Sequence, residues 1–306
     1  MAKLLNLSEV FERIELDLSA LDQATSPDPF YSAADDLLKR AAGLASMLVA
    51  FTGESAENKI LDRDQAVIGG LLVRASKLYP ALREAASSES ETHHILARCI
   101  VETMINLRYL VAKDDPTLFE RFVADSYAPQ LHWKRRVADQ NAAAGRTDDF
   151  LYEQAAGFID QGLSIAGVDE SAVPSAPQSW AGNLRQRFEF LGLDGWYGTL
   201  FAMPANYVHG TWHEISTFHV RTVDGGFELD ATFGGITPNA LYSTCDITFG
   251  GLLAYLEYMP TFGLERDDAR AFVERTVNAT KQLNYAFAGF IERGGIGYNE
   301  WTENAA

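Results

Sequence analysis

Cysteine is almost missing from this chain: 306 residues include two, Cys99 and Cys245. Two thiols build neither a secreted disulfide framework nor a CxxC metal pair. One bridge stays open, and buried free thiols are the default expectation. Basic side chains are also scarce. There are 25 Lys and Arg against 42 Asp and Glu, a net charge of −17. That deficit excludes a protein that coats extended duplex DNA or anionic lipid, since both require a broad basic field. It leaves room for a small basic groove, and residues 132–146 (HWKRRVADQNAAAGR) and Arg185/Arg187 are locally basic. Solvated helix faces are the first reading of both. Long apolar runs are lacking too: none approaches the roughly 18 residues that span a bilayer. The opening MAKLLNLSEVFERIELDL acquires acidic residues before any apolar stretch develops, so no signal peptide is expected and the cytoplasm is the expected compartment.

Several catalytic signatures are absent as well. There is no GxxxxGK[ST] phosphate loop, no GxGxxG after a strand and no GxSxG elbow, which removes the common nucleotide and α/β-hydrolase sites. The zincin pattern H-E-x-x-H is missing, and E-x-x-H occurs once, at Glu91–His94, where di-iron bundles need it twice.

Apolar residues make up 47% of the chain and charged residues 22%, an ordinary globular balance with ample material for a core. The apolar positions recur at helical spacing. Leu7, Val10, Phe11, Ile14, Leu18 and Leu21 open the pattern behind Ser8, and Pro27 and Pro29 interrupt it. Helices are expected from Tyr31 to Gly53, from Ala66 to Pro80 and from about residue 89, where Ser88 and Glu91 form a capping-box pattern. Asp115-Pro116 starts another, which Pro129 should kink or divide, and one more follows Thr147. Residues 165–179 read as a linker. Short helices are expected from Trp180 and from Asp194, the latter reaching towards Gly210. Residues 215–233 read as a β-hairpin turning at Asp224-Gly225-Gly226, with Phe227, Leu229, Ala231 and Phe233 on one face. Two long helices end at Pro260 and Gly294. The expected fold is mainly α, a multi-helix bundle with a small inserted β-hairpin. It is read as one domain over 1–306, with 1–164 and 180–306 as its natural subdivision and the hairpin near 216–233.

The candidate site rests on two segments. In ETHHILARCIVETMINLRYL, His94, Arg98, Glu102 and Asn106 are spaced by four residues and form one polar stripe, flanked by apolar residues on most of the helix. A buried stripe of this kind desolvates its charges, and Arg98 and Glu102 could neutralise each other as an i,i+4 pair. The second segment carries Asn206 and His209 on one helical face, with His213 a turn further if the helix continues through Gly210. Four of the six histidines, His94, His209, His213 and His219, lie in or beside these segments. Imidazole titrates closest to neutrality and suits proton transfer. No cofactor is expected; a divalent metal at His209/His213, completed by Glu102 or Glu214, is the alternative.

Segment 94–136, with its R-x-x-x-E helix followed by E-R-F, resembles a bacterial family of helical proteins classed as a domain of unknown function. That family has a later Tyr-rich helix ending in S-x-x-H, and Asn206-Tyr207-Val208-His209 takes the matching place here. The similarity covers about residues 85–220. It implies an all-helical fold and nominates Arg98, Glu102 and His209, but no established reaction. Asn206 stands where the family carries serine, which puts any chemistry of that serine in doubt. A more distant analogy is to the HEPN helical ribonucleases, whose R-x(4–6)-H motif puts Arg and His on one helix; here Arg98 and His209 would meet from separate helices.

Two functional expectations follow. In one, Arg98, Glu102 and His209 are catalytic in a ribonuclease-like or other hydrolytic enzyme, with His209 as acid/base and Arg98 as anion stabiliser, while His94, Asn106, Asn206 and His213 bind. In the other, the pocket is non-catalytic and serves ligand binding, interaction or structure. RNA or a small anionic ligand is the expected partner, without membrane association, and a homo-oligomer stays open.

Overall fold

The computed structural model describes residues 18–88, 91–146, 149–175, 179–209, 211–231 and 238–294. The helices run in chain order as α1 (Leu18–Asp22), α2 (Asp28–Ala50), α3 (Arg63–Ser87), α4 (Thr92–Lys113), α5 (Pro116–Ala143) and α6 (Phe150–Ala166). They continue as α7 (Leu184–Phe190), α8 (Asp194–Tyr197), α9 (Ala205–His209) and α10 (Trp212–Phe218). A two-stranded ribbon, β1 (Val220–Val223) and β2 (Gly226–Leu229), precedes the long helices α11 (Pro238–Tyr258) and α12 (Arg266–Glu292). The fold is therefore mainly α with one small antiparallel hairpin, as the apolar spacing predicts. The chain forms two compact units, one from 1–112 and 188–306, the other from 113–187.

The larger unit is organised around α11. Leu241, Tyr242, Cys245, Ile247, Phe249, Leu252, Tyr255 and Leu256 are all buried, so this helix is apolar on nearly every side and must be enclosed. It packs between α2 and α12, and α2 packs in turn on α3. The buried hydroxyls of Tyr242, Thr244, Thr248 and Tyr255 on α11 are satisfied internally. Thr244 and Thr248 donate to the carbonyls of Ala240 and Thr244, and Tyr79 of α3 donates to Thr248 Oγ1 at 2.5 Å. Tyr242 donates to the Phe30 carbonyl and Tyr255 meets Thr52, each at 2.5 Å. An unpaired hydroxyl here would cost about 1–3 kcal/mol, so these bonds hold the helices in register. Cys99 and Cys245 are both free thiols.

The smaller unit pairs α5 with α6 over Ala128, Leu131, Leu163 and Val173. Asp115 caps α5 by accepting from Thr117 N, and Asp149 caps α6 by accepting from Tyr152 N. Gly167, at φ +65°, ends α6 in the left-handed conformation. The supposed linker 165–179 belongs to this unit: Val173 enters its core, and Asp169 caps a 3-10 turn at Glu170–Ala172. The basic stretch is paired as well. Lys134 meets Asp160, and Arg135 donates to Glu170 at 2.9 Å. Arg187 is buried rather than solvated, stacked 4.0 Å from the Trp180 ring centre and donating to Ser179 Oγ and the Gly182 carbonyl.

Several local expectations are corrected. Neither Pro80 nor Pro129 divides its helix; each removes one backbone hydrogen bond, and burial of Tyr79, Leu82, Ala128 and Leu131 around them keeps the helices continuous. Pro29 lies in the first turn of α2, where its missing N–H is harmless. Ser88 ends α3 instead of opening α4, its hydroxyl donating back to the Glu84 and Ala85 carbonyls. The hairpin is shorter than its sequence pattern, because residues 212–218 form α10. It turns at Asp224-Gly225 with Gly225 at φ +89°. Its apolar face is not covered: Leu229 is 89% exposed, and Phe233 lies outside the described residues. The helix expected around Leu7–Leu18 also lies mostly outside them.

Candidate functional site

Helix α4 presents the polar stripe, and the segment that meets it is not one helix but three short pieces. Residues 194–209 fold as α8, a π-turn over Gly198–Ala202 and then α9. The Met203 N–H reaches back five residues to the Gly198 carbonyl, and Pro204, lacking an N–H, starts the next piece. This break turns Phe201 and Tyr207 towards α4. The His94 imidazole stacks on the Tyr207 ring, centroids 4.3 Å apart and planes within 10°. One turn further along α4, the Arg98 guanidinium lies 4.2 Å from the centre of the Phe201 ring. The two segments singled out in the sequence are therefore brought together, and aromatic rings make the join.

The expected Arg98–Glu102 ion pair does not form. Among the described residues Arg98 makes no hydrogen bond and no ion pair, because its side chain turns onto Phe201. Its Nε is buried without a hydrogen-bond partner in the protein. Glu102 is partly buried and likewise makes no hydrogen bond among the described residues. Other buried side-chain atoms without a hydrogen bond on these segments include Glu91 Oε2 just ahead of α4, and Thr211 Oγ1 between α9 and α10. Leaving a buried polar atom unpaired costs roughly 1–3 kcal/mol.

His94 is held neutral. Burial, with neighbouring His93 second, pushes its imidazole down to about 3. His93 is fully buried, its ring 3.8 Å from that of His94. Asn106 lies partly buried further down α4. On α9, Asn206 is partly buried and its carbonyl accepts from Thr211 N, while His209 is exposed at the helix end. His213 lies in α10, beyond the break at Gly210, and its side chain lies outside the described residues. His219 follows α10 and bonds through Nε2 to buried Glu214 at 2.6 Å. That contact commits Glu214 to an imidazole. Among the described residues no group of three or more His, Cys, Asp or Glu side chains is placed to hold a metal ion. A separate cavity of about 380 Å³, between α2 and α3, is lined by Asp28, Asp35 and Arg83 and contains none of the stripe residues.

Phe201, Tyr207, Glu91 and His93 were not readable as site residues. The rings look like ordinary core aromatics, and only the proline-bounded break at Pro204 hints that they change direction. A second charged position was also missed at the far end of α4. Arg108 crosses α11 at Gly250, where an added Cβ would lie 2.8 Å from Nη1. Burial lowers the Arg108 pKa against the pull of Asp246, and burial raises that of Asp246 against Lys281 and Arg108. The signal was present: Asp246 is the one charged residue between Pro238 and Leu256 on a largely apolar helix.

With this arrangement in view, the chain is a helical protein whose polar stripe on one helix is closed by aromatic residues from a broken one. It belongs to a family of unknown function, DUF5677, whose sequence profile matches residues 65–227, more than half of the chain. That span contains both α4 and the whole 194–213 segment. No curated protein and no solved structure matches the chain. Among the described residues no helix is long and apolar enough to cross a membrane.

Proposed function

We propose that this family member binds a small anionic ligand at Arg98. The observation that carries the reading is the guanidinium laid on Phe201, with a buried Nε and, among the described residues, no carboxylate paired with it. A guanidinium held flat by a ring and free of intramolecular bonds is ready to make charge-assisted hydrogen bonds to an oxyanion. The chain's charge of −17 disfavours long polyanions and favours a small anion entering a local site. Calorimetric titration with inorganic phosphate and with a mononucleotide tests this. Arg98→Met should weaken binding at least about tenfold, since a charge-assisted hydrogen bond contributes about 1.5–3 kcal/mol. Equal affinity in wild type and variant, or no binding of either probe, ends the proposal.

The second reading makes the anion an RNA phosphodiester and His209 the acid/base. It is favoured by one feature: α9 carries both Tyr207, which is fixed on His94, and exposed His209, which is open to a substrate. Single-stranded RNA should then be cleaved by wild type and at least 100-fold more slowly by His209→Ala. Equal cleavage by the two proteins, or none by either, removes this reading and leaves the first intact.

A further inference from the structure

The smaller unit carries an apolar surface with no role in its own packing. Helix α6 turns Ala156 and Leu163 into the core with Ala128, Leu131 and Val173. On another side of the same helix, Leu151, Phe158 and Ile165 recur every seven residues and are 73%, 66% and 80% exposed. Phe150 adds a fourth large apolar side chain at 70%. Single exposed apolar residues are commonplace, but a contiguous row of this size marks an interaction site. The seven-residue interval is the spacing by which one helix lays a straight seam along another.

We propose that this row is the seam of a homodimer, with α6 of one copy packed against α6 of a second across a twofold axis. Charge selects the second copy. The chain is strongly acidic, so most faces of two copies repel each other. Here the only charged residues of α6, Glu153 and Asp160, fall on a different side from the seam, and Asp160 is paired with Lys134. Gln154 and Gln161, three residues beyond Leu151 and Phe158, are exposed and uncharged and give the seam a polar edge. A partner chosen by opposite charge would find nothing to grip along this row, whereas an identical uncharged row is self-complementary. The area is of the right order. At about 150–200 Å² per large side chain the four supply on the order of 500 Å² per copy, and the glutamines and flanking turns extend it towards the roughly 800 Å² that a stable partner contributes.

Size-exclusion chromatography with light scattering on the full chain, from about 1 to 100 µM, tests the seam. Wild type should run at twice the 33.7 kDa chain mass. Phe158→Glu should shift the dimer midpoint at least tenfold to higher concentration with an unchanged far-ultraviolet spectrum. Tyr285→Glu, at a position 77% exposed on α12, should leave it in place. Hydrogen exchange provides a second measure: α6 amides of wild type should lose protection on dilution. A wild-type monomer at 100 µM, a dimer that Phe158→Glu leaves untouched, or α6 protection independent of concentration overturns the proposal. The last result would mean that the chain covers this face itself.

Discussion

The two ends of α4 each carry a half-buried arginine, and the two are treated differently. At the far end Arg108 lies across Gly250, where an opposite charge, Asp246, acts on it from α11. At the near end Arg98 lies on Phe201 with no carboxylate, and the Nε beneath it has no partner. A charge answered internally belongs to the architecture, and removing either half strands the other. One left unanswered is available to a visitor. The contrast sets Arg108 apart from Arg98, the residue proposed above to bind an anion.

Breaking the far end should have the largest effect on stability. A Cβ at Gly251 would lie 2.5 Å from Met104 Sδ, so Gly251→Val should cost about 2–3 kcal/mol by overpacking, read as a lower urea midpoint. The near end should respond to acid instead. His94 titrates at about 3 when folded and near 6.5 when unfolded. Above pH 6.5 it adds nothing to stability. Below that, the unfolded chain takes up a proton that the folded one refuses, and stability falls by about 1.4 kcal/mol per pH unit until the folded imidazole titrates. Wild type should therefore lose about 2 kcal/mol more than His94→Phe between pH 7 and pH 5, compared by urea unfolding; parallel losses in the two proteins would remove His94 as the cause. The smallest effect serves as the control for the near end: Arg108→Met should change phosphate affinity less than about twofold where Arg98→Met weakens it at least about tenfold.

How far the sequence discloses these features depends on what kind of interaction makes them. The long helices α2, α3, α11 and α12 were legible because burial imposes apolar spacing over many turns, and Asp115 and Asp149 announce their caps. Pro80 and Pro129 misled, since tertiary packing outweighs the loss of one backbone bond. At the site, His94 and Arg98 were legible as polar residues on an apolar helix. Their partners were not. Whether Phe201 and Tyr207 face the core or a neighbouring helix depends on the turn at Gly198–Ala202, and periodicity does not encode a π-turn. Arg98 and Glu102 are spaced to pair, and spacing alone does not reveal a ring that offers Arg98 a better seat.

The interruption of the larger unit by residues 113–187 also bears on how the chain acquires its structure. The bonds that fix α2 and α3 to α11 join residues far apart in the chain: Thr52 to Tyr255, Tyr79 to Thr248 and Phe30 to Tyr242, separated by 203, 169 and 212 positions. On the ribosome, α2, α3 and α4 emerge long before the helix that encloses them. The inserted unit, whose contacts are local, can close first. For that interval α2, α3 and α4 wait with the faces that meet α11 uncovered, so the completion of this protein is timed by the synthesis of α11.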